Sequence, residues 1–180
     1  MSAWIVMLDD MDERLLHALV LRRRPRLDLV MTGITHLAHP AVAISFTAAL
    51  ALGLVPALQE VGEVAFATMI LSHLLVQILK RSITRPRPDL PVGIQSLIRT
   101  PECFSFPSGH AAAGLSIFLP LALALPLPLA IPLGILGFLV GISRCYLGVH
   151  YPGDVAMGWL LAALSMLPFA RPDLVVALLP

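Results

Sequence analysis

Along this chain, long stretches without a formal charge are separated by short charged clusters, and the uncharged stretches are apolar on every face a helix would present. No Asp, Glu, Lys or Arg occurs from Leu29 to Gln59, nor again from Ala111 to Ser143. Each run exceeds the roughly 18 to 20 apolar residues that mark a membrane span. The period-two alternation of a barrel strand is missing, so helices are expected. The pattern predicts about five spans: within Leu29 to Pro56, with Pro40 as a kink; within Val61 to Leu79; from Ser108 to Leu125; from the Pro126 to Pro128 turn to Ser143; and from Gly153 to Phe169. Gly134, Gly137 and Gly141 recur at three and four residues on the fourth span, a spacing that predicts close helix packing.

Two segments break the pattern. Residues 3 to 21 mix Leu15, Leu16, Leu19 and Val20 with Asp9, Asp10, Asp12, Glu13 and Arg14. That is too much charge to cross hydrocarbon, and it predicts an amphipathic helix lying in the interface. The arginines at 22, 23, 24 and 26 follow and read as a headgroup-level anchor rather than a nucleic-acid site. The expected division is residues 1–26 as an interfacial amphipathic segment and 27–180 as a membrane core. Met1 to Met11 carries no basic residue and no small-residue cleavage site, which argues against a removable signal peptide. From Lys80 to Phe106 the chain is polar and carries Pro86, Pro88, Pro91 and Pro101, which predicts an irregular loop.

Composition agrees with an all-α, polytopic membrane bundle. The 180 residues are 58% hydrophobic and 13% charged, against about 25% charged in ordinary soluble domains. Disorder and a disulfide scaffold are excluded. The net charge of +1 carries little information. Cys103 and Cys145 form no CxxC pattern and are left unpaired.

Because consecutive spans alternate in direction, the 80–107 loop, the start of the third span, the end of the fourth and the start of the fifth share one face. Three clusters meet there: Lys80 with Arg87; Ser108, Gly109 and His110; and Ser143, Arg144, His150 and Asp154. Phosphoryl transfer needs this inventory, since a phosphate carries about two negative charges and several oxygens that require charged donors. Lys80, Arg87 and Arg144 supply cations, and the amides of Ser108 and Gly109, with the Ser108 hydroxyl, open a helix whose positive end suits an anion. His150 and Asp154 are four apart and would share a helical face if the fifth helix begins early enough. The carboxylate would then hold the imidazole as nucleophile, and His110 would act as acid to the leaving group and base to water. The cations take the charge-neutralising part, so no metal and no cofactor is expected. Arg81 and Arg85 are read as headgroup anchors, and His17, His36, His39 and His73 as residues outside the chemistry.

These residues resemble the type 2 phosphatidic acid phosphatases, membrane relatives of the vanadium haloperoxidases and glucose-6-phosphatase. Lys80 to Pro88 matches K-x6-R-P, Pro107 to His110 matches P-S-G-H, and Ser143 to Asp154 matches S-R-x5-H-x3-D. The resemblance implies phosphate binding by Lys80, Arg87, Ser108, Gly109 and Arg144, acid catalysis by His110, nucleophilic attack by His150 and orientation by Asp154. It covers the helical core from about Leu27 to Phe169, although members of this kind usually have six spans, and here the charged N-terminal segment stands in place of the first.

The expected activity is metal-independent hydrolysis of a phosphomonoester or pyrophosphate of a membrane lipid, such as phosphatidic acid, phosphatidylglycerophosphate or a polyprenyl (pyro)phosphate. A lipid phosphotransferase, or a non-catalytic lipid-binding or transport protein, is the alternative. The partners are a lipid phosphate and the bilayer. A bacterial inner membrane is the expected location. The resemblance implies a periplasmic or extracellular site, whereas the Lys and Arg residues gather on the active-site face with only Arg171 opposite, which favours the cytosolic side.

Overall fold

A computed structural model describes residues 3–100 and 103–169, with side chains described from Asp9 onward. Arg171 and the residues about it lie outside the described part. Seven α-helices are present among the described residues: α1 (Ala3–Val20), α2 (Pro25–His36), α3 (Pro40–Ala51), α4 (Gln59–Ser82), α5 (Gly109–Ala124), α6 (Leu127–Tyr146) and α7 (Pro152–Met166). Proline opens α2, α3 and α7, where its missing N–H costs nothing.

The expected first span is two helices, α2 and α3, which bend by 52° at the break before Pro40. With the turns that flank them, α4 and α7 are long and apolar enough to cross a membrane, as is α6, and the bent pair makes a fourth candidate. The helix α5 is shorter. It is the central element, packed against α4, α6 and α7. Outward-facing Leu29, Ile44, Ile70, Leu74, Ile135, Phe138 and Leu164 remain exposed, the apolar exterior that a bilayer-facing surface requires.

Close approach of the helices rests on glycines. A Cβ at Gly141 would meet the Trp159 ring at 2.5 Å, and one at Gly137 would meet the Phe118 Cβ at 3.2 Å. Gly134 does not share this role: its nearest neighbour would be 3.9 Å away. Gly158 brings α7 onto the start of α5, since a Cβ there would meet the Ser108 carbonyl oxygen at 2.5 Å.

The helix α1 packs against α6 and α7. Leu16 and Val20 are buried in one cluster with Ala111, Cys145 and Val155. The arginine cluster is partly internal. Arg23 donates to the carbonyls of Tyr146 and Gln95, and the Tyr146 hydroxyl links the Arg24 amide to Asp28. The expected loop from Lys80 to Phe106 begins later, because α4 runs on to Ser82; of the rest, 83–100 and 103–106 are irregular, with an antiparallel bridge between Pro86 and Phe104.

Candidate active site

Six of the eight residues singled out in the sequence line one cavity of about 490 Å³: Lys80, Arg87, Gly109, His110, Arg144 and His150. The other two, Ser108 and Asp154, lie behind it and are fully buried. Lys80 comes from the last turn of α4, Arg144 from the last turn of α6, and Gly109 and His110 from the first turn of α5.

Arg87 is placed by the irregular loop. The Ser105 amide and hydroxyl donate to the carbonyls of Arg85 and Pro86, tying that loop to the segment that leads into Ser108. Arg87 then donates through Nη1 to the Val149 carbonyl and, at 3.0 Å, to Nε2 of His150. A guanidinium only donates, so Nε2 carries the lone pair and the ring proton sits on Nδ1. Nδ1 faces Oδ2 of Asp154 at 3.5 Å, longer than an ordinary hydrogen bond, and makes none.

The sequence expectation that His150 and Asp154 share a helical face is corrected here. His150 lies before α7, which begins at Pro152. The pair forms because Asp154 is a capping residue: Oδ2 accepts from the Tyr151 backbone N–H at 2.9 Å. That bond turns the carboxylate back towards the residues preceding the helix.

A second correction concerns the anion-binding end of α5. The Ser108 backbone N–H is committed to the Asp154 carbonyl at 2.9 Å, and its hydroxyl caps the helix by accepting from the Ala111 amide at 3.4 Å. Gly109 and His110, whose first-turn amides a helix leaves without intrahelical acceptors, line the cavity instead.

A third concerns Arg85, which is no headgroup anchor. Its Nη1 lies 2.9 Å from Asp154 Oδ1 and 2.9 Å from Asp12 Oδ2, and its Nη2 lies 2.8 Å from Asp9 Oδ1. Burial would lower its pKa, but Asp154 and Asp12 outweigh burial and raise it. For Arg87 burial dominates and lowers the pKa, with Asp154 opposing. Thr35 was also missed: it accepts from Arg144 Nη1 at 3.1 Å inside the protein. A lone buried threonine in an apolar run gives no signal of that partner, whereas Arg85 had one in standing two residues before Arg87.

A family model described as the PAP2 superfamily matches residues 63–171, which hold all three motifs. The chain belongs to the PAP2 superfamily. Phosphatidylglycerophosphatase B of Bacillus subtilis is 34% identical over 164 residues, covering 85% of this chain and 78% of that protein. Decaprenylphosphoryl-5-phosphoribose phosphatase of Mycobacterium tuberculosis is 34% identical over 141 residues, covering 78% of this chain and 77% of that protein. The crystal structure of a transmembrane PAP2 type phosphatidylglycerolphosphate phosphatase from Bacillus subtilis superposes with a TM-score of 0.77 at 32% identity, covering 91% of this chain and 84% of that one. As a PAP2 protein the chain is a hydrolase of phosphoric ester bonds. Asp12 and Thr35 lie outside the matched residues, although both contact side chains within them.

Proposed function

We propose that the protein hydrolyses the phosphomonoester or pyrophosphate of a membrane lipid through a phosphohistidine on Nε2 of His150. The phosphate lies among Lys80, Arg87 and Arg144, with the Gly109 amide at the positive end of α5 and Ser108 behind it. Arg144 Nε is buried without a hydrogen-bond partner, and a phosphate oxygen would satisfy it. Arg87 exchanges its bond to Nε2 for one to the phosphate, which frees the lone pair to attack phosphorus. His110 protonates the departing alkoxide or phosphate, then takes a proton from the water that cleaves the phosphohistidine. Asp154 stabilises the imidazole as it becomes cationic. The three cations neutralise the transferring group, so the reaction proceeds without a metal.

The observation that carries the lipid assignment is the shape of the cavity. Besides the cations, its lining includes Ala43 and Ile44 of α3, Met69 and Ile70 of α4 and Ala113 of α5. Ile44 and Ile70 are also exposed on the outer apolar surface. A headgroup phosphate at the polar end thus leaves an apolar passage for the chains. The relatives' substrates, a phosphatidylglycerophosphate and a polyprenyl phosphoribose phosphate by their names, are of this class. We place the enzyme in a bacterial inner membrane, with residues 1–26 at the interface and 27–180 as its core.

The test is phosphate release in EDTA by the purified protein and its His150→Ala variant. The panel contains phosphatidic acid, phosphatidylglycerophosphate, a polyprenyl pyrophosphate and glucose-6-phosphate. The parent enzyme is expected to release inorganic phosphate from lipids in preference to the sugar and to form an acid-labile phosphoenzyme. The variant is expected to do neither. Substantial turnover by the variant overturns the covalent scheme, and strong EDTA inhibition reversed by Mg2+ overturns the metal-free one.

A further inference from the structure

The carboxylate of Asp154 is fully buried and held from two sides. One oxygen accepts from the Tyr151 amide, and the other from Arg85 at 2.9 Å. Arg85 is itself fixed: Asp9 and Asp12 of α1 bind its guanidinium, and its Cζ lies 4.1 Å from the centroid of the Tyr151 ring. Asp12 has a second attachment, since its Oδ1 accepts from the Gly153 amide at 2.7 Å, one residue before Asp154. One carboxylate of α1 thereby grips both the arginine that holds Asp154 and the first turn that carries it.

We propose that Asp12 and Arg85 are positioning residues of the reaction, holding Asp154, and through it His150, in the geometry of attack. This rests on the assignment of His150 and Asp154 made above. Neither residue reaches the substrate. Their effect is on the orientation of the imidazole: once Arg87 has exchanged its bond to Nε2 for one to the phosphate, the ring keeps its 3.5 Å contact to Asp154, a carboxylate that without the strap is anchored by one amide. Docking of α1 does not depend on the charges, because Leu16 and Val20 already anchor it in an apolar cluster. The pairs of Arg85 with Asp12 and Asp154 are mostly buried, so losing one partner costs stability as well. Side chains that orient a metal-bound group are worth about 10- to 100-fold in activity, and a loss of that order is expected here.

The test uses the full-length protein in detergent with phosphatidylglycerophosphate as substrate. The variants are Asp12→Asn, Arg85→Met, their double mutant, Asp154→Asn and His150→Ala. Asp12→Asn and Arg85→Met are expected to lower kcat about tenfold or more. KM and the inhibition constant of inorganic phosphate stay within about twofold, since Lys80, Arg87 and Arg144 are untouched. The burst of phosphoenzyme slows in step with kcat. Asp12→Asn added to Arg85→Met costs little more, because Asp12 acts largely through Arg85.

Asp12 and Arg85 variants that retain kcat, beside inactive Asp154→Asn and His150→Ala, overturn the strap and leave the site reading standing. A rise in KM without a fall in kcat also overturns it. Turnover that survives Asp154→Asn and His150→Ala, or a parent enzyme that hydrolyses none of the lipids, overturns the underlying reading instead. Should Arg85→Met fail to fold, Asp12→Asn decides alone, since asparagine keeps the size and the oxygen that accepts from Gly153.

Discussion

Burial pushes the His150 imidazole down from an ordinary 6.5 to about 4, with Asp154 opposing the shift and Arg144 and Arg87 reinforcing it. A ring that resists protonation keeps its Nε2 lone pair at neutral pH, as the proposed nucleophile must. The same shift has a consequence for stability. Between pH 6.5 and about 4 the unfolded chain binds a proton at this histidine that the folded protein refuses. Its contribution is therefore complete above pH 6.5 and is lost as the pH falls through about 4. Thermal unfolding in detergent should show a melting temperature that drops over this window, and His150→Gln should remove that part of the drop. A variant with an unchanged pH profile would mean that the folded ring protonates normally.

At the scale of the helices, the tight place is the crossing of α7 over the start of α5. Gly158→Ala sets a methyl carbon 2.5 Å from the Ser108 carbonyl oxygen and 3.1 Å from the Ala112 amide nitrogen, both backbone atoms that cannot swing aside. Overpacking of this kind costs about 1–3 kcal/mol. It also moves Asp154, whose carbonyl binds the Ser108 amide. Misplacement by about 1 Å can cost 10²-fold in rate, so Gly158→Ala should lower both the melting temperature and kcat, the latter at least tenfold; both are read on one preparation.

The helices themselves were legible, because uncharged runs longer than a bilayer is thick admit few other structures. The gathering of the eight candidate residues was legible too, since their motifs are local in sequence and the spans bring six of them to one cavity; their roles remain proposals. What escaped were individual contacts set by a particular neighbour distant in the chain. The glycine at 158 looks like any other until the Ser108 carbonyl is known to lie against it, while Gly134 has the right spacing but no close neighbour. Likewise, the spacing of His150 and Asp154 suggested a shared helical face, and the cap on Tyr151 supplies the contact instead.

For the molecule as a whole, the proposed function makes the apolar part of the cavity, lined by Ile44 and Ile70, the feature that selects substrates. Ile44→Trp would narrow its outer mouth, where Ile44 is 49% exposed. The expected result is a severalfold fall in kcat/KM for long-chain lipid phosphates with a smaller change for a short, water-soluble phosphate ester, measured side by side; equal effects on both would argue against chains occupying this route. The gathering of basic residues on one face also changes meaning. Arg23, Arg85, Arg87 and Arg144 are engaged in hydrogen bonds within the protein, so they serve packing and the site as well as topology. A reporter fused to the C-terminus distinguishes the two orientations: external activity means a cytosol-facing site, and cytosolic activity means the opposite.

The strap from Asp12 to Gly153 joins residues 141 positions apart. Protein synthesis at about 5–20 residues per second separates their appearance by roughly 7 to 28 seconds. During that interval α6 and α7, the helices against which α1 packs, are still to be made. The seating of α1 therefore comes after α6 and α7 exist, and the contact that braces the turn carrying Asp154 is made by a helix synthesised long before that turn.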